Sequence, residues 1–257
     1  SSELNFTPVG EAIRFGLQAI KNVGENTVLG ILESRAKVGA FFSIFQFCEC
    51  VDFKLLNRRV LESLVKSGAM DSFGARRSQL SEVIDRAMER GQKLQRQNAA
   101  GQSGLFAGAA SGTPAPDPVL PEIDEWPEQV LLDAELGTVG FYISGHPLAK
   151  HAARLKELGA IDLASVEGRR NGEELTVSGM VMSLRPMRSR KGDRWAIVSL
   201  QDMSGGIEAL VFPEALGRLE AVLKSGAPLL LRGRVNAEEA GTRIALQEAK
   251  SLDQMGS

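Results

Sequence analysis

The chain has 257 residues, too many for one small module and enough for two, with 43% hydrophobic and 24% charged residues, close to ordinary globular usage. That composition excludes a wholly disordered or fibrous chain, and no apolar run approaches the roughly 20 residues a membrane helix needs. The net charge of −2 hides segregation: Asp52 to Arg96 holds ten Lys/Arg against six Asp/Glu, Arg96 to Lys150 encloses no Lys or Arg, and Arg185 to Arg194 holds five cations and one acid, Asp193. Local charge therefore says more about partners than the total does.

The N-terminus, Ser1-Ser2-Glu3-Leu4-Asn5, lacks a basic stretch followed by an apolar one, so no signal peptide is expected. Cys48 and Cys50 stand one residue apart, with the only histidines, His146 and His151, far downstream. That spacing suits neither a disulfide framework nor a zinc site; two core thiols in a reducing cytoplasm are expected. A catalytic Cys–His pair stays open without support from the pattern.

Residues 12–90 read as helical. Val28, Leu29, Ile31 and Leu32 follow helical spacing after Gly24, Val60, Leu61, Leu64 and Val65 repeat it before Gly68, and Gln79–Met88 is amphipathic. Glycines at 16, 24, 30, 39, 68 and 74 imply short helices joined by tight turns. From Gly91 to about Glu122 the composition shifts to Gln, Asn, Ala, Gly, Ser and Pro, which predicts a flexible linker interrupted by Leu105-Phe106. A further helical patch runs from Trp126 to about Leu158, broken at Gly145-His146-Pro147. From Glu173 the pattern alternates: Leu175–Val181, Ala196–Leu200, Ile207–Phe212, Leu229–Val235 and Arg243–Leu246 read as strands, with a turn at Asp202–Gly206 and a helix over Pro213–Lys224. Five strands with a helix after the third describe an OB-fold β-barrel.

Ile13–Gly24, Asn57–Glu62, Ser67–Asp71 and Gly140–Leu148 resemble, in order, signatures of the bacterial DNA polymerase III alpha subunit family, and the resemblance extends through the barrel. It implies an α+β multidomain chain from the C-terminal part of that subunit. The expected domains are a tandem helix-hairpin-helix DNA-binding domain at 1–90, a clamp-binding linker at 91–125, a helical connector at 126–168, an OB-fold domain at 169–252 and a tail at 253–257. The family's catalytic core holds two Mg²⁺ with clustered aspartates. This chain has no Asp-x-Asp; its nearest approach, Glu122-Ile123-Asp124, reads as a solvated charge cluster, and no P-loop, Gly-rich nucleotide fingerprint or nucleophile elbow occurs. No cofactor and no catalytic residue are expected here, the Mg²⁺ chemistry belonging to the core upstream. The resemblance implies double- and single-stranded DNA, the beta sliding clamp and other DNA polymerase III holoenzyme subunits as partners, in the cytoplasm and without a membrane. The same region of the error-prone paralogue and a standalone repair or recombination factor remain as alternatives.

A helix-hairpin-helix turn lets backbone N–H groups approach a phosphate, which needs unusual φ/ψ and little side-chain bulk. Lys21, Asn22 and Gly24 form the first expected hairpin, Asn22 standing where glycine is more usual and tolerating positive φ. Ser67 and Gly68 form the second, followed by Arg76 and Arg77 as added phosphate charge. Taken alone, these glycines read as helix C-caps; with the resemblance they read as duplex-backbone contacts. In the barrel, Arg185, Arg188, Arg190, Lys191 and Arg194 surround the first interstrand loop. Alternation sets Trp195 on the face opposite Ala196, Val198 and Leu200, where it can stack on a base, while Phe212 fits either face. Gln102-Ser103-Gly104-Leu105-Phe106 resembles the family's clamp-binding pentapeptide: Leu105 and Phe106 fill an apolar pocket and Gln102 hydrogen-bonds at its rim. His146 reads as a packing or turn residue.

Overall fold

The computed structural model describes residues 7–9, 12–14, 16–99, 116–238 and 241–255. The chain divides into two compact units, Ser1–Ser144 and Gly145–Ser257.

In the first unit, a short hairpin of β1 (Thr7–Val9) and β2 (Ala12–Arg14) precedes, among the described residues, the α-helices α1 (Glu25–Val38), α2 (Ile44–Cys50), α3 (Arg58–Lys66), α4 (Arg77–Glu82), α5 (Ile84–Ala99) and α6 (Glu128–Val139). Helix α3 shows how the sequence writes its own boundaries. Asn57 accepts the Val60 N–H at 3.0 Å as N-cap. Val60, Leu61, Leu64 and Val65 then lie on the buried stripe at helical spacing. The predicted single helix over Gln79–Met88 is instead interrupted at Val83, a buried β-branched residue at φ −98°, ψ 5° between α4 and α5.

The linker expected from residue 91 does not begin there, because α5 continues to Ala99. Gly91 is a packing residue: a Cβ at that position would strike the Cys48 carbonyl, so its absence lets α5 lie close against α2. One turn later the Gln95 side-chain amide donates to the carbonyls of Cys48, Glu49 and Val51 at 3.1, 3.2 and 2.8 Å. It thereby satisfies the open C-terminal end of α2. Residues 116–127 also belong to this unit. Leu120 and Trp126 pack on its core, Gln79 donates to the Pro121 carbonyl at 2.8 Å, and Arg90 pairs with Asp117 at 3.5 Å. The acidic exit is solvated at Asp124 but not at Glu125, whose carboxylate accepts the N–H groups of Arg77, Ser78 and Trp126 at 2.7–2.9 Å.

The expected connector at 126–168 is likewise divided. Helix α6 brings Glu135, fully buried, against Arg77, whose side chain is 6% exposed; their ion pair spans 2.8 Å. Arg77 also makes a two-pronged contact to Asp71 at 2.9 and 2.7 Å, and the second Glu135 oxygen accepts the N–H groups of Ile143 and Ser144. Beyond Ser144 the chain packs on the second unit, with Leu148 and Leu155 of α7 (Ala152–Glu157) and its preceding turn in a small cluster with Leu252. His146 takes a turn role there, its Nδ1 accepting the Leu148 N–H at 3.2 Å, and burial pushes its pKa below the ordinary value.

The second unit is a closed barrel of β3 (Glu174–Arg188), β4 (Arg194–Gln201), β5 (Gly206–Val211), β6 (Leu229–Glu238) and β7 (Gly241–Ser251), in the order β3-β4-β5-β7-β6, with α8 (Pro213–Leu223) after the third strand. β3 is long enough to pair with β6 through Glu174–Gly179 and with β4 through Met180–Arg188, and a register shift between Val181 and Ser183 accompanies the change of partner. Alternation fills the interior with Val177, Ala196, Val198, Leu200, Ala209, Val211, Leu229, Leu231, Ile244 and Leu246. The turn after β4 is built on Asp202, whose Oδ1 accepts the Ser204 and Gly205 N–H groups at 2.7 and 2.9 Å. This is the five-stranded OB-fold architecture that the strand pattern predicts.

Burial by itself raises the Glu135 pKa, but the N–H groups of Ser144 and Ile143 and the Arg77 guanidinium outweigh it and hold the carboxyl below the ordinary carboxylate range. Removing one partner of a buried ion pair strands the other, so Arg77→Ala is expected to destabilise the helical unit by about 3–5 kcal/mol, read as a lowered thermal transition at 222 nm. Glu135 binds its proton less tightly folded than unfolded. Its contribution is therefore present above the unfolded value of about 4.3 and lost as pH falls through the lower folded value. Thermal melts across that acid range are expected to show a steeper fall for the wild type than for Glu135→Gln.

Candidate nucleic-acid interface

The first hairpin places Asn22 at φ 68°, the one non-glycine residue at positive φ among the described residues. Asn is one of the few non-glycine residues that tolerate this region; here its Nδ2 donates to Ser63 Oγ at 3.1 Å, 41 positions along the chain. The turn is held from below by the Lys21 N–H donating to the Thr138 carbonyl at 2.9 Å. It leads through Gly24, in extended conformation, into the N-terminus of α1, which no side chain caps. A fourteen-residue helix opening without a cap leaves N–H donors and the positive end of the dipole facing outward.

Lys21 and Asn22 border a groove of about 440 Å³ whose other walls include Arg59, Ser63 and Lys66 of α3 and Gly137 and Thr138 of α6. Lys21, Arg59 and Lys66 have no acidic partner among the described residues. The acids on the same rim are engaged: Glu62 pairs with Arg58 at 2.7 Å and Asp133 accepts from Gln129 at 3.0 Å. Sequence reasoning misses Arg59 and Lys66, although their seven-residue spacing puts both on the polar face of α3. The absent signal is tertiary, namely that α3 lies beside the Asn22 turn.

The second hairpin is different, and three of its expected contacts are corrected. Ser67, Gly68 and Ala69 close α3 as a C-cap: the Gly68 N–H donates to the Val65 carbonyl and the Ala69 N–H to the Leu64 carbonyl, at 3.0 and 3.1 Å, with Gly68 at φ 77°. Ser67 is buried, with Oγ bonded to the Leu64 carbonyl at 3.0 Å. These donors are used internally. Arg77 is a buried structural cation, and Gly68 is glycine because a Cβ there would strike the Arg77 guanidinium and crowd Asp71. Arg76 remains exposed but bonds the Ile123 carbonyl at 2.7 Å and approaches Asp124 at 3.5 Å. The first two N–H groups of α4 are occupied by Glu125. Burial alone raises the Glu125 pKa, but bonds from the Ser78, Trp126 and Arg77 N–H groups hold it below the ordinary range.

In the barrel, the five expected cations separate into two groups. Arg188, Arg190 and Lys191 in the β3–β4 hairpin have no acidic partner among the described residues. The loop itself is ordered by Ser189, whose Oγ accepts the N–H groups of Lys191 and Asp193 at 3.2 and 3.1 Å. Arg185 is paired with Glu208 at 2.5 Å and Arg194 with Glu220 at 3.6 Å. Trp195 is half-buried on the outward side of β4, cross-strand from Met187, while Ala196 and Val198 point into the core. Phe212, just beyond β5, is 49% exposed. Next to Trp195 on the outward side, Ile197 stands between Arg185 and Leu210. The face thus offers Trp195 and Ile197 beside a hairpin whose Arg188, Arg190 and Lys191 lack an acidic partner among the described residues, the combination that suits stacked bases and a phosphate backbone. Gln102, Leu105 and Phe106 lie outside the described residues.

Residues 1–80 match the helix-hairpin-helix motif family and residues 175–252 the OB-fold nucleic acid binding domain family. The chain is 32% identical over 243 residues to the DNA polymerase III subunit alpha of Vibrio cholerae, covering 94% of this chain and 21% of that protein. It is 32% identical over 248 residues to the Escherichia coli K12 subunit, covering 95% and 21%, and 33% identical over 257 residues to that of Saccharopolyspora erythraea, covering 97% and 22%. The chain spans about a fifth of the length of these relatives. Along nearly its whole length it is therefore homologous to a segment of the DNA polymerase III alpha subunit, one that comprises a helix-hairpin-helix region and an OB-fold barrel.

Proposed function

We propose that this chain is the DNA-holding, clamp-binding C-terminal part of a replicative polymerase alpha subunit, acting in the cytoplasm with the other holoenzyme subunits. The observation that carries the reading is the first hairpin: an Asn22 turn at positive φ opening into an uncapped helix, beside a groove bearing Lys21, Arg59 and Lys66. Backbone donors and cations without an acidic partner among the described residues fit the phosphates of a primer–template duplex and read no base. The barrel face, with Trp195, Phe212 and the Arg188–Lys191 loop, fits the single-stranded template. The Gln102–Phe106 pentapeptide docks in the sliding clamp. Nucleotidyl transfer and its Mg²⁺ belong to the part of the polymerase that this chain does not include.

Replacing Lys21, Arg59 and Lys66 by Ala is expected to weaken duplex binding equally for unrelated sequences. In a salt titration it should flatten the slope of log K against log salt by about 0.9 for each phosphate that is no longer neutralised. An unchanged slope assigns the duplex site elsewhere. Replacing Arg188, Arg190 and Lys191 is expected to weaken oligothymidylate binding in fluorescence anisotropy and to leave duplex binding intact; unchanged single-strand affinity removes the loop from the site. Gln102→Ala with Leu105→Ala and Phe106→Ala is expected to lower affinity for purified bacterial sliding clamp in calorimetry by about several hundredfold, since each buried anchor contributes about 2 kcal/mol or more. Unchanged clamp affinity makes the pentapeptide a chance match.

A further inference from the structure

The outward face of the barrel carries more positive charge than it presents. Glu208 of β5 stands opposite Ser199 of β4, which in turn stands opposite Ser183 of β3. Its carboxylate reaches both ways across the sheet. Oε1 takes Arg185 from β3 at 2.5 Å, and Oε2 takes Arg243 from β7 at 3.1 Å. One acid thus spans three strands with both oxygens engaged, beside the apolar Ile197–Leu210 pair.

A carboxylate and a phosphodiester present the same features to arginine: one negative charge and two acceptor oxygens. Glu208 therefore occupies the position a backbone phosphate would take between Arg185 and Arg243. The side chains of Arg185, Glu208 and Arg243 are 58%, 34% and 29% exposed, so solvent and a ligand reach the triad. Ion pairs this exposed are weak, and an incoming phosphate can displace the carboxylate. The nearby Arg188, Arg190 and Lys191 carry no such competitor among the described residues.

We infer that Glu208 is an internal phosphate competitor that sets the affinity of the barrel for single-stranded nucleic acid, with Arg185 and Arg243 forming a latent phosphate site beneath it. This rests on the reading of the barrel as a single-strand binder. Phosphates engage the open loop cations first and gain the two arginines only by expelling Glu208. Binding is accordingly weaker than the number of cations on the face would dictate, which suits a template that must slide past.

The test is fluorescence anisotropy of the full chain with a labelled oligothymidylate over a salt series, with thermal melts in parallel. Glu208→Gln removes the charge but keeps the shape. It is expected to bind about tenfold tighter at low salt, with a salt slope steeper by about 0.7, because the freed site takes one phosphate and single strands contribute about 0.7 per phosphate neutralised. Adding Arg185→Ala and Arg243→Ala to Glu208→Gln should abolish the gain. In the wild-type background the same two arginine substitutions should cost less than the loss of Arg188, Arg190 and Lys191. If Glu208→Gln melts too early to titrate, that wild-type comparison decides: a loss as large as that of the loop overturns the inference. A folded Glu208→Gln that binds equally or more weakly also overturns it, leaving Glu208 as a tie across the barrel. Failure of both wild type and Glu208→Gln to bind the oligonucleotide overturns the single-strand reading itself, and the inference with it.

Discussion

The helical unit is organised around one buried cation. Arg77 lies beneath Gly68 with its guanidinium divided between Asp71 and the fully buried Glu135, and also reaches the Lys66 carbonyl at 3.4 Å. A guanidinium cannot shed its charge on burial, so its surroundings must supply compensating acceptors. They come from three places along the chain: the end of α3, the turn after it, and α6, whose Glu135 is held in turn through its second oxygen by the N–H groups of Ile143 and Ser144. The charge constraint thus fixes how far the helical unit extends, drawing in residues that composition alone assigns to a linker and a connector.

That constraint also makes the two hairpins unequal. The second is closed from within: its turn donors cap α3, its arginine is buried, and Glu125 sits on the first N–H groups of α4. The first keeps an open helix end and three cations without an acidic partner among the described residues around the Asn22 turn. Two short glycine turns that look alike in sequence do opposite work, one joining the fold together and the other facing solvent.

A similar division of charge holds in the barrel. Alternation sorts Ala196, Val198 and Leu200 inward and Trp195, Ile197 and Ser199 outward. The cations on the outward side are then divided again by where carboxylates happen to stand. Glu208 and Glu220 hold Arg185, Arg243 and Arg194, whereas the hairpin tip is left open. Net charge over a ten-residue window cannot express this, because Glu208, Glu220 and Arg243 come from other parts of the chain.

What the sequence determined by itself was whatever depends on near neighbours: the five alternating strands and the helix after the third, the helical stripe from Val60 to Val65, and the turn at Asp202–Gly206. Periodicity and local hydrogen bonding act within a few residues, so a linear reading captures them. It failed at Gly91, Gln95 and Glu125, polar or small residues in a stretch of linker-like composition. Each serves a partner more than 40 residues away: the Cys48 backbone for Gly91 and Gln95, and the α4 N-terminus for Glu125. It failed again at Arg77, read as a surface cation when its partner Glu135 is 58 positions along the chain. Whether a charge is free to meet a phosphate or is already neutralised depends on which distant carboxylate the fold brings within 3 Å or so. That pairing exists only once the chain has folded, and so the tertiary structure alone decided which of these cations remain open to DNA.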